Sequence, residues 1–160
     1  MESINILVID DERVICDGCH LILSEKGHSV DISLKGSEGL NAVQEGTYDL
    51  ILLDLKLPDI DGLEILHAVK KANPNIYVVI MTGYSTVQSA VQAMKLGASD
   101  YLTKPFIDEA LILAVERVIE KKKLVEENML LREKLTEQFG FSSIIGEDPK
   151  ILRIFDKINK

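Results

Sequence analysis

The sequence predicts an α/β fold, a parallel sheet covered by helices on both faces, and three observations predict it. Short apolar runs recur and stop abruptly at polar residues. Segments with helical spacing lie between those runs. The interior vocabulary is aliphatic: of 160 residues, 46% are hydrophobic and only 5% aromatic, so Val, Ile, Leu and Ala must build the core.

The first run, residues 4–9, is interrupted only by Asn5 and ends in Asp10-Asp11. Its length and β-branched content suit a strand buried on both faces. Residues 48–53 repeat the pattern and end in Asp54, and residues 76–81 repeat it and end in Thr82-Gly83. Residues 28–33 and 100–102 supply two shorter strands. Helical spacing marks residues 14–26, 37–44, 63–72 and 86–96, the last with Val87, Val91 and Met94 on one face. Strands that alternate with helices require right-handed crossovers and hence a parallel sheet. Five strands and five helices fit the flavodoxin-like (βα)5 doubly wound order 2-1-3-4-5.

From Ile107 the helical pattern runs on without Gly or Pro until Gly140, which predicts one extended C-terminal helix. Within it Leu124, Asn128, Leu131 and Leu135 fall at 4-3-4 spacing, the seam of a coiled coil, with Asn128 as the polar register residue. The stretch is barely two heptads, so a solvated helix packing on its own domain is the competing reading. Dimerisation is preferred. After Gly140, Asp148-Pro149 marks a helix start, with Ile151, Phe155 and Ile158 on one face. A helix this short cannot bury its stripe alone and predicts the first element of a further domain.

Composition excludes several functions. A net charge of -8 opposes a phosphate-neutralising surface, so this chain is not expected to bind DNA directly. No apolar run approaches a membrane span, and Met1-Glu2-Ser3-Ile4 lacks a signal-peptide start, so the expectation is a soluble, cytoplasmic protein without a membrane partner. Cys16 and Cys19 form a lone C-x-x-C inside a predicted helix. A redox pair or half of a zinc site is one reading, but nothing completes tetrahedral ligation, and two reduced thiols is the better account.

In an open parallel sheet, ligands bind beyond the carboxyl ends of the strands. Those ends carry Asp10, Asp11, Asp54, Thr82 and Lys104. Three clustered carboxylates repel one another unless a cation intervenes, and a hard ion such as Mg2+ suits oxygen donors. A carboxylate can attack phosphorus once the incoming charge is screened, which Mg2+ and Lys104 would do. The Thr82 hydroxyl can donate to a phosphoryl oxygen, and Gly83 leaves room for close approach. Each residue alone has a plainer reading: Asp10-Asp11 as a helix cap, Asp54 as a turn residue, Lys104 as solvated surface, Thr82 as a loop cap.

The segments Val8-Ile9-Asp10-Asp11-Glu12, Leu52-Leu53-Asp54-Leu55-Lys56-Leu57-Pro58-Asp59-Ile60-Asp61-Gly62, Met81-Thr82-Gly83 and Lys104-Pro105-Phe106 together resemble the signature of response-regulator receiver domains, over roughly the first 120 residues. The resemblance implies that a sensor histidine kinase phosphorylates Asp54. It implies that Asp11, Asp54 and the Lys56 backbone carbonyl bind Mg2+ with Asp10 assisting, and that Pro105 follows a cis peptide bond. It implies a switch in which Thr82 moves toward the phosphoryl group and an aromatic ring, here Tyr101, follows; a plain core tyrosine is equally compatible. Lys56 and Tyr84 are placed to tune water access.

The tail Ile145-Gly146-Glu147-Asp148-Pro149 resembles the start of the AAA+ ATPase domain in NtrC-type activators of sigma-54 RNA polymerase. That implies a receiver at 1–120, a helical, coiled-coil linker at 121–139 and a truncated ATPase start at 140–160, with a DNA-binding domain beyond. The chain has no G-x-x-x-x-G-K-[ST] loop, so it is expected to be a phosphoacceptor module and not an enzyme, at most slowly catalysing its own phosphorylation and dephosphorylation. Two alternatives stand beside this reading. A phosphatase with an Asp nucleophile would have a second acid two residues on, where Lys56 stands. An inert binding module would show no Mg2+-dependent response.

Overall fold

A computed structural model describes residues 2–83 and 86–139. The tail motif at 145–149, the short helix after it, and Tyr84 lie outside the described residues. The order of elements is β1 (Asn5–Ile9), α1 (Arg13–Glu25), β2 (Ser29–Ser33), α2 (Gly36–Glu45), β3 (Leu50–Leu53), α3 (Gly62–Ala72), β4 (Tyr77–Thr82), α4 (Val87–Lys95), β5 (Asp100–Thr103) and α5 (Asp108–Phe139). The five strands form one sheet in the order β2-β1-β3-β4-β5, and every neighbouring pair is parallel. This is the flavodoxin-like arrangement that the alternation of patterns predicts.

Strand residues alternate between two buried faces. Leu7, Ile9, Ile51, Leu53, Val78 and Ile80 join Ile65, Leu66 and Val69 of α3 and Ala93 of α4 in one apolar cluster. Their neighbours in sequence, Ile6, Val8, Leu50, Leu52, Val79 and Met81, are fully buried as well. Period-two geometry sends these to the opposite face, for which α1 supplies Cys16, Cys19 and Leu23 and the start of α5 supplies Leu111, Ala114, Val115 and Val118. The two cysteines are therefore core residues. They are unbridged, and burial pushes the Cys16 thiol up to about 11 and the Cys19 thiol up to about 12, which makes both poor nucleophiles.

Helix ends follow capping chemistry. After α1 the Gly27 backbone takes φ +91° while the Gly27 and His28 amides donate to Ser24 and Leu23 carbonyls, a turn that a side chain would strain. Gly97 plays the same part after α4 at φ +104°. At the start of α4, Thr86 accepts from the Ser89 amide and Ser89 reciprocates, a capping box. Thr86 is thus the cap and not the first turn.

The face shared by Val87, Val91 and Met94 is not the one that packs on the sheet. Of α4 only Ala93 is buried, and Val87, Val91 and Met94 are 84%, 46% and 49% exposed. The apolar face of this helix points to solvent because the small side chain of Ala93, not the large ones, meets the sheet.

The chain divides between Val118 and Ile119 into two compact units. Helix α5 continues into the second, whose described part exposes Leu124, Val125, Met129, Leu130 and Leu131. Among the described residues, no helix is long and apolar enough to cross a membrane.

Candidate functional site

Register assembles the site. Ile9 stands beside Leu53, so the next residues, Asp10 and Asp54, leave the sheet side by side. Two further backbone bonds extend the ladder: the Asp10 amide donates to the Ser33 carbonyl at 3.1 Å and the Asp54 amide to the Ile9 carbonyl at 2.9 Å. Leu53 pairs with Ile80, and Thr82 pairs with Thr103, so β4 reaches two residues farther and Lys104 emerges next to Thr82. The Lys104 amide donates to the Thr82 carbonyl at 3.0 Å, and the Lys104–Pro105 peptide bond is cis. Thr82 is the last residue of its strand and fully buried, one position earlier in its element than the sequence pattern suggests.

These ends border a crevice of about 410 Å³ lined by Asp11, Glu12, Asp54, Lys56, Thr82 and Lys104, among others. Four acids converge there. One carboxylate oxygen from each of Asp10, Asp11, Glu12 and Asp54 lies within 4.8 Å of all the others. Asp10 and Asp54 are buried, whereas Asp11 and Glu12 are exposed.

Lys104 is the counter-ion. Its Nζ stands 2.5 Å from Asp10 Oδ2, 3.1 Å from Glu12 Oε1 and 3.2 Å from Asp54 Oδ2. Burial acts to lower the ammonium pKa, but Asp10, Asp54 and Glu12 outweigh it and hold the group charged well above the ordinary lysine range. Asp10 shows the reverse balance. Burial pushes its carboxyl up to about 6, and the contacts with Lys104 and the Glu12 amide only partly offset that. Its Oδ1 accepts from the Glu12 amide at 2.9 Å, while the buried Oδ2 makes no aligned hydrogen bond. Asp54 Oδ1 accepts from the Lys56 amide at 3.2 Å, which turns the loop after β3 back over the acid.

The structure thus brings Asp10, Asp11, Asp54, Lys56, Thr82 and Lys104 to one crevice. Glu12 belongs with them too, although it is not a strand-terminal residue but the N-cap of α1. The Asp-Asp-Glu run was the available signal. Tyr101 lies on β5, half-buried, with its hydroxyl 3.4 Å from Ser89 Oγ in the first turn of α4. Leu124, Asn128, Leu131 and Leu135 all lie on α5; Leu124 and Leu131 are 56% and 59% exposed. A second unforeseen residue braces the loop after β3: Asp59 accepts from the Gly36 and Ser37 amides, both at 2.9 Å, at the start of α2. Those two donors hold its carboxyl down at about 2.

A parallel sheet of this order, with acids and a lysine meeting at its carboxyl edge, defines a class, and comparison with known proteins agrees. The response regulator receiver domain family matches residues 6–116, and the chain belongs to it. It is 35% identical over 157 residues to the transcriptional regulatory protein ZraR of Klebsiella oxytoca, covering 98% of this chain and 34% of ZraR. Among solved structures, NtrX from Brucella abortus, also solved with ADP and with ATP, is 34% identical with TM-score 0.77, covering 86% of this chain and 34% of NtrX. The CheY-like receiver protein from Methanospirillum hungatei JF-1 is 30% identical with TM-score 0.74, covering 76% and 98%. The chain spans about a third of the length of ZraR and NtrX and 56% of the streptococcal regulator DltR. It is a two-component signalling module with the receiver fold.

Proposed function

We propose that this module accepts a phosphoryl group on Asp54 from a sensor histidine kinase and uses it to control an attached sigma-54-activating AAA+ ATPase. One observation carries the first half: a buried carboxylate, 4% exposed, opens on a crevice where an ammonium stands 3.2 Å away and three further acids crowd in. Such a group is a nucleophile with its charge compensation already in place.

The acids fit Mg2+. All are hard oxygen donors, and one carboxylate oxygen from each of Asp10, Asp11, Glu12 and Asp54 lies within 4.8 Å of the others, close enough to share one ion. Asp10, Asp11, Asp54 and the Lys56 backbone carbonyl would hold the ion. When bound, it supplies neutralisation of the phosphoryl oxygens. Asp54 then forms a bond to phosphorus while the bond from phosphorus to the kinase histidine breaks, and the imidazole keeps that electron pair and takes up a proton. Lys104 stays on the phosphoryl oxygens and the Thr82 hydroxyl donates to another. Movement of Thr82 frees space for Tyr101, whose inward rotation breaks its contact with Ser89 and releases the start of α4.

The second half rests on extent. Similarity to ZraR continues past the receiver through 98% of the chain, and NtrX, of which the chain likewise covers 34%, has been solved with ADP and ATP. We assign residues 1–120 to the receiver, 121–139 to a linker that pairs two copies along Leu124, Asn128, Leu131 and Leu135, and 140–160 to the start of the ATPase. The complete protein would add sigma-54 RNA polymerase and a DNA-binding domain as partners and act in the cytoplasm.

Acetyl phosphate with Mg2+ tests the chemistry. Mass spectrometry is expected to show a hydroxylamine-sensitive acyl phosphate on the wild type and none on Asp54→Ala; modification of the variant to the same extent overturns the assignment. Sedimentation of the wild type against Leu131→Asp tests the linker, and equal masses would remove it from dimerisation.

A further inference from the structure

Resting on the reading of Asp54 as phosphoacceptor, we propose that Glu12 is a positioning residue that holds Lys104 in the unphosphorylated protein and competes with phosphoryl oxygens for it. An ammonium has three N–H donors. Here three carboxylates surround it, Asp10 at 2.5 Å, Glu12 at 3.1 Å and Asp54 at 3.2 Å. Two of these contacts, to Glu12 and Asp54, are hydrogen bonds and the third is an ion pair, so acids already enclose the ammonium before any phosphoryl group arrives.

The three partners differ in their freedom to leave. Asp10 is fully buried, and its other oxygen is fixed by the Glu12 amide at 2.9 Å. Asp54 is 4% exposed and its other oxygen accepts from the Lys56 amide at 3.2 Å, so it cannot swing away from the ammonium. The Glu12 side chain is 60% exposed, and its carboxylate is a crevice-rim group with water as an alternative partner. The bond to Glu12 is thus the contact of Lys104 that a phosphoryl oxygen can displace without moving a buried side chain.

Charge acts in the same direction. The Glu12 carboxylate lies within 4.8 Å of the other three acids, so it adds a negative charge at the mouth through which an anionic donor enters. Removing that charge while keeping the side-chain shape relieves both the competition and the repulsion. No bond is made or broken by Glu12 itself; it acts through Lys104.

The experiment uses the full chain with acetyl phosphate at saturating Mg2+, comparing wild type with Glu12→Gln and Glu12→Ala. Acyl phosphate formation is expected to be about 3- to 5-fold faster in both variants at about 0.05 M salt, with the gap closing at about 0.5 M, as screening of a single exposed charge dictates. The Lys104 Nζ resonance separates this from a structural effect. It is expected to differ between wild type and Glu12→Gln before phosphorylation and to coincide afterwards, when Glu12 has already been released. Equal rates for wild type and Glu12→Gln at both salt levels, or a resonance difference that phosphorylation leaves unchanged, overturn the role of Glu12 alone. A wild type that forms no acyl phosphate on Asp54 overturns the underlying reading and takes this inference with it.

Discussion

Helices α3 and α4 cover the same face of the sheet, yet α3 buries Gly62, Ile65, Leu66 and Val69 while α4 buries Ala93 alone. The strands beneath repeat the contrast. All four residues of β3 are buried, whereas those of β5 are half-buried or exposed. Burying a large aliphatic side chain contributes roughly 1.5–3 kcal/mol, so α3 is anchored several times over and α4 by little more than a methyl group. The lesson concerns where a signal can leave. Asp54 and its loop sit on the more deeply buried side; under the proposed function that keeps the chemistry in register, and the neighbouring α4 would shift for the few kcal/mol that new ionic contacts supply.

The largest blow to the rigid side is expected from Gly62→Ala. A Cβ there would stand 2.4 Å from Leu55 Cα and 2.5 Å from the Asp54 carbonyl oxygen, both backbone atoms that cannot yield. Urea unfolding is expected to show a loss of about 3 kcal/mol or no folded protein; near-normal stability would mean that α3 is less tightly seated than its contacts indicate.

Next comes the buried acid at the end of β1. The Asp10 carboxyl, raised from 3.8 to about 6 chiefly by burial, binds its proton more tightly in the folded than in the unfolded state. Stability therefore falls as pH rises through that window and stays lower at neutral pH. In Mg2+-free buffer at pH 7, Asp10→Asn is expected to stabilise by about 1–3 kcal/mol, reduced by the lost pairing with Lys104, and to flatten the pH profile between 4 and 6. A destabilised variant would show that the ion pair outweighs burial.

On the looser side the effects are smaller. Thr86→Ala removes the capping box of α4 and is expected to cost about 1 kcal/mol, with faster amide exchange confined to that helix. Val91→Ser, at a position 46% exposed, is expected to change stability by no more than about 0.5 kcal/mol. A loss several times larger would erase the contrast between the two helices.

Local pattern made much of this architecture legible. Apolar runs of four to six residues ending in acids or Thr are what buried parallel strands look like, and the segments between them keep helical spacing, with side-chain caps at Asp61 of α3 and Thr86 of α4, so element order and sheet class follow from neighbours in sequence. The same locality sets the limit of what the pattern conveys. The stripe of Val87, Val91 and Met94 shows that α4 is amphipathic without showing which side meets the sheet. Glu12 looks like an ordinary helix entry until Lys104, 92 residues away, is placed beside it.

By itself the sequence determined the five alternating units, the long last helix and the polar residues waiting at the strand ends, because each of those is written in periodicity over a few residues. Only the tertiary structure decided which charges meet. The contacts of Asp59 with the Gly36 and Ser37 amides and of one ammonium with three carboxylates join segments far apart in the chain. Strand register and burial create them, and neither is a property of any single stretch of residues.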